Sequence, residues 1–106
     1  MRLASPDGSG ASARAALSST GSNTRVRLRV DGLAPTRPGQ VYEVWFVRGT
    51  GRVSAGTFTI GRSGDAALEL TAAARTAAYE RIGITREPDG LDPQRNGPNV
   101  LAGPLS

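Results

Sequence analysis

The chain predicts an all-β fold, an antiparallel two-sheet β-sandwich of about seven or eight strands. Short runs in which apolar and polar residues alternate carry that expectation, together with turn residues that recur every ~8–12 positions. Fourteen glycines and seven prolines also leave little room for long helices. At 106 residues the chain suits one domain, 1–106, with enough buried surface for one core.

Met1 to Ala4 reads as a short edge strand, ended by the turn residues Ser5-Pro-Asp-Gly-Ser-Gly10. Ala13, Ala15 and Leu17 then alternate with polar neighbours, as a half-buried strand with small inward groups would. The Thr20-Gly-Ser-Asn23 turn leads into Thr24 to Val30, the cleanest alternation in the chain. Val26, Leu28 and Val30 take one face and Arg25, Arg27 and Arg29 the other. Asp31-Gly32 stops this strand, and Pro35, Pro38 and Gly39 form the loop that follows.

Val41 to Val47 and Val53 to Ile60 flank Arg48-Gly-Thr-Gly-Arg52, a hairpin signature. Centring the loop places Val47 opposite Val53, Trp45 opposite Ala55, Val44 opposite Gly56 and Tyr42 opposite Phe58. One face of the ribbon is then Tyr42, Val44, Phe46, Gly56, Phe58 and Ile60, the expected core. The other is mixed, with Val41, Glu43, Val47, Val53, Ala55, Thr57 and Thr59 around Trp45. An apolar centre on a face that should be wet implies a cover, either the chain's own tail or Pro-rich loop, or another protein.

Ala66, Leu68 and Leu70 alternate again after the Gly61-Arg-Ser-Gly-Asp65 turn. Alanine-rich 72–79 lacks that period and predicts a short helical turn. Ile82 and Ile84 restart the alternation up to Glu87, and Pro88-Asp-Gly90 ends it. A connection from Asp92 to Pro98 precedes a last strand at Asn99 to Ala102. A small closed barrel is the nearest structural rival to the sandwich, because it uses the same short alternating strands.

Composition narrows the chemistry. Cysteine and histidine are absent, which removes thiol nucleophiles, disulfides, common zinc sites and the usual neutral-pH proton shuttle. Ser54-Ala-Gly56 is no nucleophile elbow, and Gly49-Thr-Gly51 lacks a phosphate-loop lysine. Carboxylate pairs such as Glu80 with Glu87, or Asp89 with Asp92, match no calcium-loop spacing. No catalytic residue, cofactor or metal is expected. The longest apolar run, Val44 to Val47, falls far short of the ~20 residues that cross a bilayer, and no signal-peptide core follows Met1-Arg-Leu3.

All 13 basic residues are arginine, which with the abundant alanine fits a GC-rich genome. The net charge of +4 is spread along the chain, and only Arg25, Arg27 and Arg29 form a stripe. Its ordinary reading is the wet side of an outer or edge strand, where charge discourages aggregation. The functional alternative is contact with anionic lipid headgroups or an acidic partner. Nucleic acid is not expected, because the few aromatics fall on predicted strands and offer no stacking platform.

Residues Tyr42-Glu-Val-Trp-Phe-Val47 and Ser54-Ala-Gly-Thr-Phe58 resemble the extracytoplasmic domain of actinobacterial anti-sigma-K (RskA-like) factors. Gly32-Leu33 before a proline-rich turn, Ile84-Thr-Arg-Glu-Pro88 and Val100-Leu-Ala-Gly103 extend the likeness from about residue 11 to the end. The family usually follows its Glu-Pro with paired glycines, whereas Asp89-Gly90-Leu91 stands here. The sandwich expected from strand spacing is of immunoglobulin-like kind, and the resemblance implies an extracytoplasmic domain tethered by an upstream membrane helix to a cytoplasmic segment that holds a sigma factor. Proteases of regulated intramembrane proteolysis would be further partners. A secreted adhesion or carbohydrate-binding module, with Trp45 or Tyr79 as stacking platform, is the alternative from another class. A small basic barrel binding nucleic acid is a third.

Overall fold

The computed structural model describes residues 1–88 and 97–105. Its strands are β1 (Arg2–Ala4), β2 (Ser12–Thr20), β3 (Asn23–Asp31), β4 (Val41–Arg48), β5 (Gly51–Phe58), β6 (Ala66–Ala72), β7 (Arg81–Glu87) and β8 (Asn99–Pro104). A single 3₁₀ turn, Thr76–Ala78, lies within the segment expected to be helical. The expected stop at Pro88-Asp-Gly90 and the connection up to Pro98 fall largely outside the described residues.

All eight strands join one antiparallel sheet in the order β5-β4-β7-β8-β1-β2-β3-β6. This corrects the two-sheet sandwich: the sheet is continuous, nearly closed and barrel-like. The strand that joins its halves is β1, which pairs with β2 from Arg2 to Ala4 and with β8 through Ala4 and Ala102. It was expected at an edge. Its position has a simple cause, since a three-residue strand with Leu3 fully buried must be hydrogen-bonded on both sides to stay ordered. The true end strands, β5 and β6, face each other without a ladder where Gly56 meets Leu70.

Inward residues follow the period of two. Val26, Leu28 and Val30 of β3 are buried beside Tyr42, Val44 and Phe46 of β4, Ile82 and Ile84 of β7, and Leu101 of β8. Tyr42 stacks on Phe58 with ring centres 5.5 Å apart, and Phe46 meets the edge of Tyr79 at 5.9 Å. Of the expected ribbon core, Tyr42, Val44, Phe46 and Ile60 are buried, whereas Gly56 and Phe58 are partly exposed at the open seam.

The central hairpin departs from the expected register over half its length. Tyr42 pairs with Phe58 and Val44 with Gly56, as predicted, but Trp45 pairs with Ser54, Phe46 with Val53 and Val47 with Arg52. A bulge at Ala55 causes the slip, helped by Gly56 at φ +125°, a conformation that side chains disfavour. The loop is correspondingly short. Gly49 and Thr50 make the turn, with Gly49 at φ +56° as the first central residue of a tight hairpin requires.

Candidate functional site

The bulge decides what surrounds Trp45 on the outer face. In the symmetric register Val53 and Ala55 would share that face; instead Val53 turns inward opposite Phe46, and Arg52 and Ser54 turn outward. The Arg52 guanidinium lies over the indole, 5.0 Å from the ring centre. On the other side Trp45 pairs with Gly83, which pairs in turn with Ala102, so the ring lies along a trough of small residues.

A buried polar chain runs from this ring. The indole Nε1–H donates to Thr85 Oγ1 at 2.9 Å, and the Thr85 hydroxyl donates to Glu87 Oε2 at 2.5 Å. Thr85 is fully buried and Glu87 nearly so, at 1% exposure. Next to them Ser54 donates its hydroxyl to Glu43 Oε2 at 2.7 Å. Among the described residues no buried side-chain nitrogen or oxygen is left without a partner. These contacts rigidify the outer face, since each buried polar atom is satisfied.

Trp45 itself is 6% exposed. Between it, Arg52, Arg81, Gly83 and Asn99 lies a pocket of about 270 Å³. Neither aromatic named as a sugar platform offers an open ring: Trp45 is capped by Arg52, and Tyr79 is partly buried against Phe46.

The predicted arginine stripe is exposed on the outer face of β3. That strand lies between β2 and β6, so it is interior to the sheet rather than an edge. Glu69 on β6 receives Arg25 Nε at 3.3 Å and Arg27 Nε at 3.4 Å. Both bridges are solvated, and exposed pairs of this kind contribute about 0–1 kcal/mol. Sequence reading missed two residues in line with the stripe, Arg14, which strand pairing places beside Arg29, and Arg2, which it places beside Arg14.

Elsewhere, burial pushes the Tyr42 phenol above its ordinary value of 10.0, partly opposed by the charge of Arg86. Its hydroxyl donates to the Ala34 carbonyl at 2.7 Å. No cluster of potential metal ligands and no helix long and apolar enough to cross a membrane occurs among the described residues. Around Trp45 the two hydroxyls, Ser54 and Thr85, each donate to a carboxylate, Glu43 and Glu87, so the polar side chains of this face hold one another.

No curated protein and no solved structure matches the chain. A family model described as the C-terminal region of the anti-sigma-K factor RskA matches residues 2–99, from β1 to the first residue of β8. That span takes in seven complete strands, the bulged hairpin with Trp45, and the arginine stripe. The chain belongs to the anti-sigma-K factor RskA C-terminal family.

Proposed function

We propose that this chain is the extracytoplasmic, sensory part of a membrane-bound anti-sigma factor and performs no catalysis. The family match over residues 2–99 carries the reading. A cytoplasmic segment outside this chain holds an extracytoplasmic-function sigma factor inactive. The β domain governs when proteases of regulated intramembrane proteolysis release it.

The mechanism is steric. Folded, the domain shields the chain that connects it to the membrane; a signal that loosens it exposes that chain to cleavage. The architecture supports such a switch, because the sheet is joined through a strand of only three residues, and local opening of a short strand costs less than global unfolding.

The test is a sigma-dependent reporter in cells carrying the full-length regulator. Phe46→Ala removes a fully buried ring from the core and should cost about 3–5 kcal/mol. It is expected to raise the cleaved fraction and the reporter signal together. Unchanged cleavage and reporter activity in a variant whose domain is demonstrably unfolded would remove the reading. An alkaline phosphatase fusion at Leu105, active only outside the cytoplasm, checks the sidedness independently.

A further inference from the structure

The sheet gathers arginines that the sequence scatters. Arg2 pairs with Arg14 across β1 and β2, and Arg14 pairs with Arg29 across β2 and β3. Three guanidinium-bearing positions thus form one row on strands roughly 4.8 Å apart. Arg27 and Arg25 continue the wall along β3, and all five residues are exposed. Glu69 serves Arg25 and Arg27, and Asp31 stands at the end of β3. Among the described residues Arg2, Arg14 and Arg29 make no ion pair. Like charges directly opposite each other weaken strand pairing, so folding alone does not favour this row. An anion from outside the protein would offset the repulsion.

The shape of the wall narrows the class of anion. The β2–β3 and β3–β6 ladders run without a register shift, and the residues between the arginines are small: Ala16, Ser18, Ala67 and Thr71. The shallow groove over Arg27, Arg29 and Glu69 is open and holds no buried polar group to grip one shaped ligand. No aromatic side chain lies on the wall to stack a base, and no large apolar side chain points outward to anchor a protein interface. Spread positive charge on a smooth surface fits many laterally mobile anions.

We propose that this β1–β2–β3 wall adsorbs to the anionic phospholipid headgroups of a bilayer, which rests on the reading above that tethers the domain beside one. In the reading above the tether precedes β1, the strand that carries Arg2 at one end of the row. Each arginine held near such a surface raises affinity about fivefold.

Co-sedimentation of the 106-residue chain with phosphatidylcholine vesicles, with and without phosphatidylglycerol, tests the proposal. Binding is expected only with phosphatidylglycerol and is expected to fade as salt rises. Arg14→Gln/Arg29→Gln should weaken it about twenty-five-fold, and Arg14→Glu/Arg29→Glu by more. Arg37→Glu/Arg62→Glu carries the same net charge change on exposed loops and should retain binding. Circular dichroism verifies that each variant is folded. Equal loss in both reversal pairs, equal binding to neutral vesicles, or binding to poly-glutamate or duplex DNA but not to vesicles overturns the proposal. The assay contains no sigma factor or protease, so its failure leaves the reporter result standing, and the converse holds.

Discussion

The hydroxyl of Tyr42 is the polar tip of a ring that is otherwise in the core, and its partner is a backbone carbonyl at Ala34. Tyr42→Phe should lower stability by about 1 kcal/mol at neutral pH, measured by urea unfolding. Because burial raises the phenol above 10.0, the native state keeps its proton after the unfolded chain has lost it. The contribution is full below pH 10 and declines as pH rises through the native value. The phenylalanine variant should therefore lose less stability than the parent between neutral and strongly alkaline pH. Thr85 is a sharper case, since one hydroxyl accepts from Trp45 and donates to Glu87. Thr85→Val keeps the shape, leaves the Trp45 indole N–H without its acceptor and takes one hydrogen bond from Glu87, so about 1–3 kcal/mol should be lost, with a change in tryptophan fluorescence. Trp45 was legible in the sequence as a residue that needs a cover. Its contacts were not, because Thr85 lies forty residues on and reaches it only by strand pairing.

At the scale of elements, periodicity located β2, β3, β6 and β7, the glycine loop and β-rich composition located β4 and β5, and turn residues bounded β1 and β8; the alternation in β3 survives residue for residue. The arginine stripe was legible for the same reason: an alternating strand declares both its faces. The hairpin register was the instructive failure. Centring the loop assumed equal strands, whereas the bulge adds Ala55 to one side and replaces an apolar surround of Trp45 with Arg52 and Ser54. The small pair Ala55-Gly56 inside a strand was the available signal. Gly56→Ala combines an unfavourable φ with a Cβ only 3.1 Å from Leu70 Cδ2, so a loss of about 1–3 kcal/mol is expected. At Gly103 an added Cβ would fall 2.3 Å from the Arg2 carbonyl oxygen, closer than atoms approach. Gly103→Ala should push β1 away from β8, and hydrogen exchange at the amides of residues 2–4 should speed up before that of β3.

For the whole molecule, an antiparallel all-β fold followed from composition and turn spacing, but closure did not. Whether strands form two sheets or one depends on which edges pair, and the sequence carries no local mark of a pairing between residue 4 and residue 102. Four residues at the start of the chain therefore matter more than their number suggests. Deleting residues 1–4 uncovers the edges of β8 and β2 together and should lower the unfolding midpoint while promoting concentration-dependent association, measurable by light scattering.

Because β1 runs antiparallel to β8, with the Arg2 carbonyl against Gly103, Met1 and Leu105 lie on the same rim as the Gly49–Thr50 turn. A few linking residues could splice those two extremities, and fresh ones could be cut at that turn. Such a rewired chain would retain the same ladders in a different order of synthesis. It would also make β8 and β1 the two arms of a hairpin, so that closing this junction would cost less entropy than it does between distant segments.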